Sequence, residues 1–280
     1  MSTGTLYVTD LDGTLLDADS RVSADSARII SSLTDRGVAV TVATARTPAT
    51  VVPLTQKCRL RLPAVVMTGA ALWNFATGTY DAVHHIAAHT AARVREAFDA
   101  AGVRPFIYTL APDAPLRVYH AGRTLTKPEQ NFYDPRSNLA LKRFYLNATP
   151  PQAEDACHVL YFGFGRQKEI SSAVTMLRQI PGISISHYPD IFNPDLWLVE
   201  ILAAGVDKAA AVLDLKRRVG ADRLVVFGDN LNDIPMMQVA DLAVAVANAR
   251  SEVLNMADTV TGPNTDDAVA HFIAADCGGE

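Results

Sequence analysis

Short apolar segments alternate with helix-like segments at the start of the chain, and this alternation limits the possible folds more than any other feature. Residues 6–10, 38–43 and 64–67 are nearly continuous apolar runs of strand length. Residues 23–36 carry apolar side chains at helical spacing and precede Gly37, a residue type that commonly ends helices. Strand, helix and strand joined by short connections predict a parallel sheet that helices cover on both faces.

The same alternation returns in the last third of the chain, whereas the middle differs. Strands are predicted at residues 196–201, 224–227 and 242–246, and helices at 208–219 and 266–275. Residues 83–190 hold most of the prolines, together with short strands predicted at 106–110, 116–120, 159–162 and 183–187 and helices at 90–101 and 168–179. We therefore predict an α/β fold, with a Rossmann-like core of residues 1–82 and 191–280 and an inserted α+β domain at 83–190.

The composition argues against nucleic acid and membranes as partners. Lys and Arg number 25 against 30 Asp and Glu, and the net charge of -5 is opposite to that of most proteins that bind nucleic acid backbones. No apolar run approaches the roughly 18 residues of a membrane span, and the first residues lack the basic region of a secretory signal. Cys58, Cys157 and Cys277 show no metal-binding or disulfide spacing. We expect a cytoplasmic protein, a monomer or weak homodimer, that acts on a small molecule.

Carboxylates follow two of the predicted core strands directly. Asp10 and Asp12 end the first strand, and both face one pocket because alternate residues of an extended chain point the same way. Asp229 and Asp233 follow the strand at 224–227. Two like charges about 4 Å apart repel by roughly 4 kcal/mol at an effective dielectric constant near 20. The cluster therefore indicates a hard divalent cation such as Mg²⁺, since otherwise a carboxylate would have to be protonated.

Positive charge and hydrogen-bond donors follow other core elements. Thr44, Ala45 and Arg46 come after the second strand, where a hydroxyl and backbone N–H groups can hold phosphate oxygens. Lys208 begins a predicted helix and is a compact cation suited to a phosphate and a carboxylate at once. Each also has an ordinary structural interpretation, with Thr44 as a helix cap and Lys208 as a surface lysine. Their order along successive strand ends favours the functional interpretation.

Two segments resemble signature motifs of the haloacid dehalogenase-like hydrolases. They are residues 10–17, Asp-Leu-Asp-Gly-Thr-Leu-Leu-Asp, and 228–233, Gly-Asp-Asn-Leu-Asn-Asp. Residues 245–249 are similar to the C-terminal signature of the Cof-type branch, subfamily IIB, whose members carry a C2B-type α+β cap inserted after the third core strand. The resemblance covers essentially the whole core, and it implies that residues 83–190 form the cap.

The resemblance also implies an activity. Asp10 would be the nucleophile that forms an aspartyl-phosphate, and Asp12 would be the general acid and then the general base. Thr44 and Lys208 would bind the phosphoryl group. The implied reaction is the Mg²⁺-dependent hydrolysis of small phosphomonoesters, such as a sugar phosphate or a similar metabolite, with the cap selecting the substrate.

Metal ligands and further substrate contacts are implied in the same way. Mg²⁺ would be bound by Asp10, the backbone carbonyl of Asp12 and Asp229, with Asp233 in support. The implied substrate contacts are Thr44, Ala45, Arg46, Lys208 and Asn232.

Three positions depart from the pattern of the family. The family usually has glycine where this chain has Ala45 and Ala209, and often asparagine where it has Thr68. An alanine still offers its backbone N–H group. We therefore expect these departures to affect fine geometry and substrate contacts but not the type of reaction.

Three other functions compete with phosphate ester hydrolysis. A phosphomutase would share the Asp10 nucleophile but return the phosphoryl group to a sugar. A carbon–halogen hydrolase is disfavoured by Asp12, because a departing halide needs no acid. A ligand-binding module that lost its chemistry is disfavoured by the presence of Asp10, Lys208 and Asp229 together.

Other polar residues receive structural interpretations. His85 and His89 have the spacing of a helical metal pair but lack the further ligands of a zinc site. Basic residues in the middle of the insert are interpreted as a solvated face, with contacts to the substrate as the alternative. These residues are Arg117, His120, Arg123, Lys127, Arg136, Lys142 and Arg143.

Overall fold

A computed structural model describes residues 4–112, 114–190, 193 and 195–278 of the chain. Its strands are β1 (Thr5–Thr9), β2 (Ala39–Val42), β3 (Ala64–Val66), β4 (Ala71–Asn74), β5 (Thr79–Val83), β6 (Phe106–Thr109), β7 (Leu116–His120), β8 (Lys142–Leu146), β9 (His158–Arg166), β10 (Ile183–Pro189), β11 (Leu196–Ala203), β12 (Arg223–Gly228), β13 (Leu242–Ala245) and β14 (Thr259–Val260). Its helices are α1 (Ala24–Asp35), α2 (Pro48–Thr55), α3 (Ala88–Ala101), α4 (Lys127–Tyr133), α5 (Gln167–Leu177), α6 (Lys208–Val219), α7 (Ile234–Gln238), α8 (Ser251–Met256) and α9 (Ala268–Cys277). Among these described helices, none has the length and apolar character needed to cross a membrane.

The chain forms two compact units, and the first combines residues 1–82 with 207–280. Its parallel sheet has the strand order β14-β13-β12-β1-β2, and β3 joins β2 through a parallel bridge between Ala43 and Val65. β1 lies between β12 and β2, and its Leu6 and Val8 are fully buried. Because these strands run parallel, the residues that follow β1, β2 and β12 meet at one edge of the sheet.

The local signals predicted for the first helix are confirmed. The Ser23 hydroxyl accepts a hydrogen bond from the Ser26 backbone N–H at 2.9 Å, which caps α1. Ile30 and Leu33 are buried, as their helical spacing predicts. Gly37 follows the helix with a φ of 86°, in the left-handed region where glycine is favoured.

The second unit comprises residues 83–206. Its mixed sheet has the order β10-β11-β9-β6-β7-β8, antiparallel except for the parallel pair β7 and β8. Phe98 of α3 and Ile170 of α5 share a buried cluster with Tyr161 and Val199 of the sheet. A Cβ at Gly163 would lie 3.0 Å from the Val199 side chain, so this small residue permits the close packing.

The strand at 196–201 is predicted from the sequence to belong to the core sheet, and this prediction is wrong. It is β11, which pairs antiparallel with β10 and with β9 in the second unit. An apolar run reports that a strand is buried, but not which partners it pairs with. The second unit accordingly continues to Val206, whereas the expected boundary lies between residue 190 and Ile191, and Ile191 is outside the described residues.

Several elements of the structure have no counterpart in the sequence prediction. They are the hairpin of β4 and β5, helices α4 and α8, and strands β8 and β14. α4 is a short helix that Thr126 and Glu129 stabilise through a capping box. β8 begins with the charged residues Lys142 and Arg143, which mask its strand pattern.

The basic residues of the second unit only partly match the interpretation as a solvated face. Arg123, Lys127 and Arg143 are exposed, as that interpretation predicts. His120 and Lys142 are buried instead, with exposed fractions of 0% and 5%. His120 contacts Glu129 at 3.2 Å, and the Lys142 ammonium lies 5.1 Å from the centre of the Phe144 ring. For these two residues, contacts with helix α4 and with the neighbouring aromatic ring in β8 replace water.

Candidate active site

The site is built where β1 and β12 end side by side. Thr9 is in register with Phe227, and the Asp10 backbone N–H donates to the Phe227 carbonyl at 3.0 Å. The chain then turns sharply through residues Leu11–Leu15. Gly13 in this turn has a φ of 77°, and a Cβ there would lie 2.5 Å from an oxygen of Asp229. The position therefore requires glycine, and the turn brings the chain after Asp10 against the loop after β12.

Lys208, at the first position of α6, links two carboxylates in the interior of this site. Its Nζ donates to Asp10 Oδ1 and to Asp233 Oδ1, each at 2.7 Å. Only 1% of Lys208 is exposed, so the interpretation as a surface lysine is wrong. Burial lowers the pKa of Lys208, but the two carboxylates outweigh that effect and the pKa is raised. The lysine is therefore a fixed cation beside the proposed nucleophile.

Asp233 is fully buried and holds both Lys208 and a loop. Its Oδ2 accepts hydrogen bonds from the backbone N–H groups of Asp229 and Asn230, both at 3.1 Å. A Cβ at Gly228 would lie 2.6 Å from the Asp233 Cβ, so glycine is again needed for the close approach. Because Asp233 Oδ1 receives Lys208, both oxygens of this carboxylate already have donors.

The third carboxylate, Asp229, is oriented by a residue from the turn after β1. Thr14 donates its hydroxyl proton to Asp229 Oδ1 at 2.9 Å. Burial, followed by the charge of Asp233, raises the pKa of Asp229 to about 6. Burial also raises the pKa of Asp10, against the opposing effect of Lys208. The excess of carboxylates over cations thus disfavours full ionisation of the cluster.

This donor set fits a hard divalent cation. Asp10, Asp229 and Asp233 each offer an oxygen, and these oxygens lie within 4.8 Å of one another. All of the donors are carboxylate oxygens, the type that Mg²⁺ and Ca²⁺ prefer. A cation among them would also offset the repulsion that raises the pKa values of Asp10 and Asp229.

Asp12 faces a different partner from Asp10. Arg46 holds the Asp12 carboxylate with two hydrogen bonds, from Nε at 2.7 Å and from Nη2 at 2.5 Å. The Asp12 side chain is 53% exposed, whereas Asp10 is buried. Arg46, which the family motif implies as a substrate contact, therefore binds the proposed general acid. This paired geometry fixes the rotamer of Asp12.

The remaining predicted site residues lie at the ends of neighbouring elements. Thr44 is buried after β2, and its hydroxyl accepts from the Arg46 backbone N–H at 3.2 Å. The N-cap residue of α2 is Thr47, so Thr44 does not cap that helix. Ala45 is half-buried, and Asn232 is half-buried in the short turn between β12 and α7. The structure thus gathers Asp10, Lys208 and the two later aspartates directly, with Asp12 and Arg46 as a second pair.

Two functional candidates escaped the sequence reasoning. Asn248 and Asn264 bind backbone carbonyls of the turn after β1, at Gly13 and Leu16. Asn248 lies inside the stretch 245–249 that resembles a family signature, and that signature is the signal that could have identified it. Elsewhere, His85 binds the Leu110 carbonyl through Nε2 at 3.0 Å, which supports its structural interpretation.

Comparisons with known proteins identify the family of this chain. The model of a haloacid dehalogenase-like hydrolase family matches residues 7–273. The chain is 26% identical over 273 residues to the 5-amino-6-(5-phospho-D-ribitylamino)uracil phosphatase YcsE of Bacillus subtilis, covering 96% of this chain and 94% of that protein. It is 24% identical over 276 residues to the pyridoxal phosphate phosphatase YbhA of Escherichia coli, covering 94% and 95%.

Solved structures agree on the fold. The subclass IIB sugar phosphatase BT4131 superposes with a TM-score of 0.75 at 20% identity, covering 99% of both chains. The family match spans nearly the whole chain, and the acidic cluster lies at the strand ends where the motifs placed it. The chain therefore belongs to the haloacid dehalogenase-like hydrolases, among which it is a phosphatase with the subclass IIB fold.

Proposed function

We propose that this protein is a Mg²⁺-dependent phosphatase that hydrolyses small phosphomonoesters through an aspartyl-phosphate on Asp10. The observation that carries the proposal is the contact of Lys208 with Asp10 and Asp233 at 2.7 Å each, beside Asp229. A buried carboxylate next to a fixed cation is a nucleophile whose approach to an anionic phosphate is electrostatically supported.

The first step forms the covalent intermediate. One oxygen of Asp10 attacks phosphorus in line, and the bond between phosphorus and the leaving oxygen breaks. Asp12 donates its proton to the leaving oxygen, so that the alcohol departs neutral. Lys208 stabilises the charge that spreads over the phosphoryl oxygens.

The second step returns the enzyme to its starting state. Asp12, now a carboxylate, accepts a proton from water while the water oxygen attacks phosphorus. The bond between phosphorus and Asp10 breaks, which releases inorganic phosphate and the free carboxylate. The proton taken from water leaves Asp12 in its acid form for the next cycle. Arg46 keeps Asp12 in place through the two hydrogen bonds of the guanidinium.

Mg²⁺ would be held by Asp10, Asp229 and the backbone carbonyl of Asp12, with Asp233 supporting the site. When bound, the cation would neutralise negative charge on the phosphoryl oxygens and on the carboxylates around it. Asp233 supports this arrangement from behind, because its two oxygens hold Lys208 and the backbone of the Asp229 loop.

The substrate class is proposed from the relatives. YcsE is named for a phosphorylated ribitylaminouracil and YbhA for pyridoxal phosphate, and BT4131 is described as a sugar phosphatase. These compounds are small phosphomonoesters with hydroxyl groups or a ring. We infer that the substrate is a metabolite of this size, and that the second unit selects it.

The decisive experiment combines a substrate panel with trapping of the intermediate. Sugar phosphates, nucleotides and phosphorylated cofactors are assayed for release of inorganic phosphate with Mg²⁺ present. In parallel, Asp12→Asn is mixed with 4-nitrophenyl phosphate, quenched and examined by mass spectrometry.

We expect one phosphoryl group on the peptide that contains Asp10, because an activated ester can form the intermediate while its hydrolysis lacks a base. Transfer of the phosphoryl group to a sugar without release of phosphate would instead identify a phosphomutase. Turnover without any labelled Asp10 would overturn the covalent mechanism.

A further inference from the structure

Two asparagines from the C-terminal part of the first unit hold the turn that follows the nucleophile. Asn248 lies after β13, and its Nδ2 donates to the Gly13 carbonyl at 2.8 Å. Asn264 lies after β14, and its Nδ2 donates to the Leu16 carbonyl at 2.7 Å. The two are joined because the Asn264 backbone N–H donates to Asn248 Oδ1 at 2.9 Å.

The orientation of the Asn248 amide follows from these partners. A backbone N–H can only donate, so the atom that faces Asn264 must be the oxygen. The amide nitrogen then faces the Gly13 carbonyl, which can only accept. An asparagine satisfies both partners at once, and an aspartate would place an oxygen against an oxygen at Gly13.

The turn depends on such anchors because sheet hydrogen bonds stop before it. Asp10 is fixed by its hydrogen bond to Phe227 and by Lys208. Asp12 lies beyond the end of β1, with a φ of -71° and a ψ of 118° inside the turn. Behind Asp12, Gly13 is held by Asn248, and Thr14 is held by Asp229 at 2.9 Å.

The same C-terminal loop also supports Asp229. The Arg250 backbone N–H donates to the Asp229 carbonyl at 2.9 Å, two positions after Asn248. The loop after β13 therefore contacts both the turn that carries Asp12 and the residue that faces Thr14. A displacement of this loop would move the proposed general acid relative to the nucleophile.

We propose that Asn248, supported by Asn264, is a positioning residue that sets the placement of Asp12 for proton transfer to the leaving group. This inference rests on the proposed function. Asn248 touches neither the nucleophile nor its lysine, so it acts through the backbone of the turn. Its loss should therefore impair general acid catalysis more than substrate binding or attack by Asp10.

The test uses three esters that differ in the basicity of the leaving group. They are 4-nitrophenyl, phenyl and 4-methoxyphenyl phosphate, with kcat/KM measured for each at saturating Mg²⁺. An activated nitrophenolate departs without an acid, whereas the other two phenols need one. General acid catalysis contributes about 10²–10⁴-fold, and a partial misplacement of the acid should remove about tenfold of it.

We expect Asn248→Ala to lower kcat/KM for phenyl and 4-methoxyphenyl phosphate by about tenfold, and for 4-nitrophenyl phosphate by less than about threefold. Asn248→Asp keeps the acceptor for Asn264 but loses the donor to Gly13, so it should behave like Asn248→Ala. Asn255→Ala, at an exposed position of α8 in the same unit, is the matched control and should match the wild type for all three esters.

An equal loss for all three esters would show a merely structural role and overturn the inference, as would wild-type kinetics in Asn248→Ala and Asn248→Asp. If Asn248→Ala does not fold, Asn264→Ala, which removes the single side-chain hydrogen bond to Leu16, carries the same comparison. Failure of the proposed function looks different, because the wild-type protein would then release no phosphate from any of the esters.

Discussion

Each unit buries a carboxylate next to a cation, yet the two carboxylates behave in opposite ways. Asp10 in the first unit is 6% exposed, and Glu154 in the second unit is 4% exposed. Glu154 accepts hydrogen bonds from Thr109 and Arg117, and from Tyr119 at 3.1 Å. Burial raises the pKa of Glu154, but these donors outweigh it and the pKa is lowered. For Asp10, burial prevails over Lys208 and the pKa is raised.

The difference lies in the balance of charge around each carboxylate. Glu154 has an arginine and neutral donors for its oxygens. Asp10 shares Lys208 with Asp233 and has Asp229 close by. A carboxylate whose oxygens all have donors stabilises the fold. Clustered carboxylates without enough cations repel one another, and the binding of a cation relieves that repulsion. The comparison thus separates a carboxylate whose donors stabilise its charge from the one that we propose as the nucleophile.

The largest expected effect separates the two carboxylates by activity. Asp10→Asn should lower kcat by at least about 10³-fold, because an amide is a poor nucleophile. Its free energy of unfolding should fall by less than about 1 kcal/mol, or should rise. The substitution removes one of the mutually repelling charges, and the ion pair between Lys208 and Asp233 remains. Phosphate release and denaturant unfolding measure these two quantities, with Asp19→Asn at an exposed position as the control. Retained turnover would remove Asp10 from the mechanism.

Metal removal is the next test, and it should affect only the first unit. Chelation should abolish activity and Mg²⁺ should restore it. At about 100 times its dissociation constant, Mg²⁺ should raise the free energy of unfolding by about 2.7 kcal/mol. Because burial raises the pKa of Asp229 to about 6, protons should compete with the cation and weaken its binding as the pH falls below 6. Full activity in excess chelator after dialysis would contradict the assignment.

The counterpart of Asp10→Asn is Glu154→Gln in the second unit, for which we expect a loss of stability rather than of activity. The variant leaves Arg117 and two hydroxyl donors without their ionised acceptor, so the free energy of unfolding should fall by about 2–4 kcal/mol. The kcat of the folded enzyme should stay within about threefold of the wild type, since the side chains that bind Glu154 all belong to the second unit and not to the proposed catalytic set. Thermal unfolding and active-site-normalised rates provide the measurement. A large loss of kcat with unchanged stability would reverse the roles assigned to Glu154 and Asp10.

The last test concerns acid stability, and we expect it to have the smallest effect on activity. Burial, together with the charge of Arg95, lowers the pKa of His158 to about 4 from its ordinary value of 6.5, and the residue is fully buried. The folded second unit therefore binds fewer protons than its unfolded form, and stability present above pH 6.5 is lost as the pH falls towards 4. The loss should reach about 3 kcal/mol.

His158→Gln should flatten this acid limb of the stability profile. The chain has two tryptophans, Trp73 in the first unit and Trp197 in the second, so Trp73→Phe allows the second unit to be followed by fluorescence. His271→Gln, at an exposed position, is the control. For the first unit without metal, Asp229 predicts the opposite pH dependence of the free energy of unfolding. Its raised pKa means that the folded form binds more protons than the unfolded form between pH 4 and 6, so stability falls as the pH rises through this range. Parallel profiles of both units would contradict this contrast.

Particular residues show how far the sequence could predict the site. Asp10 and Asp229 could be brought together on paper, because each ends an apolar strand and parallel strands end at one edge. Asn248 could be noticed from the signature at 245–249, but its contact with Gly13 could not be predicted, because a motif does not name the partner of a side chain. Arg46 was identified from its motif, but its binding to Asp12 depends on the rotamers of both side chains.

The sequence by itself determined the parallel core, the capped first helix and the carboxylates at the strand ends, because periodicity and caps are local and each is repeated in several elements. The tertiary structure alone decided that β11 joins the sheet of the second unit, that Lys208 is buried between Asp10 and Asp233, and that Glu154 is satisfied. A local pattern records whether a side chain is buried. Contacts between residues far apart in the chain decide which partner a buried side chain has. They therefore also decide the sign of its pKa shift.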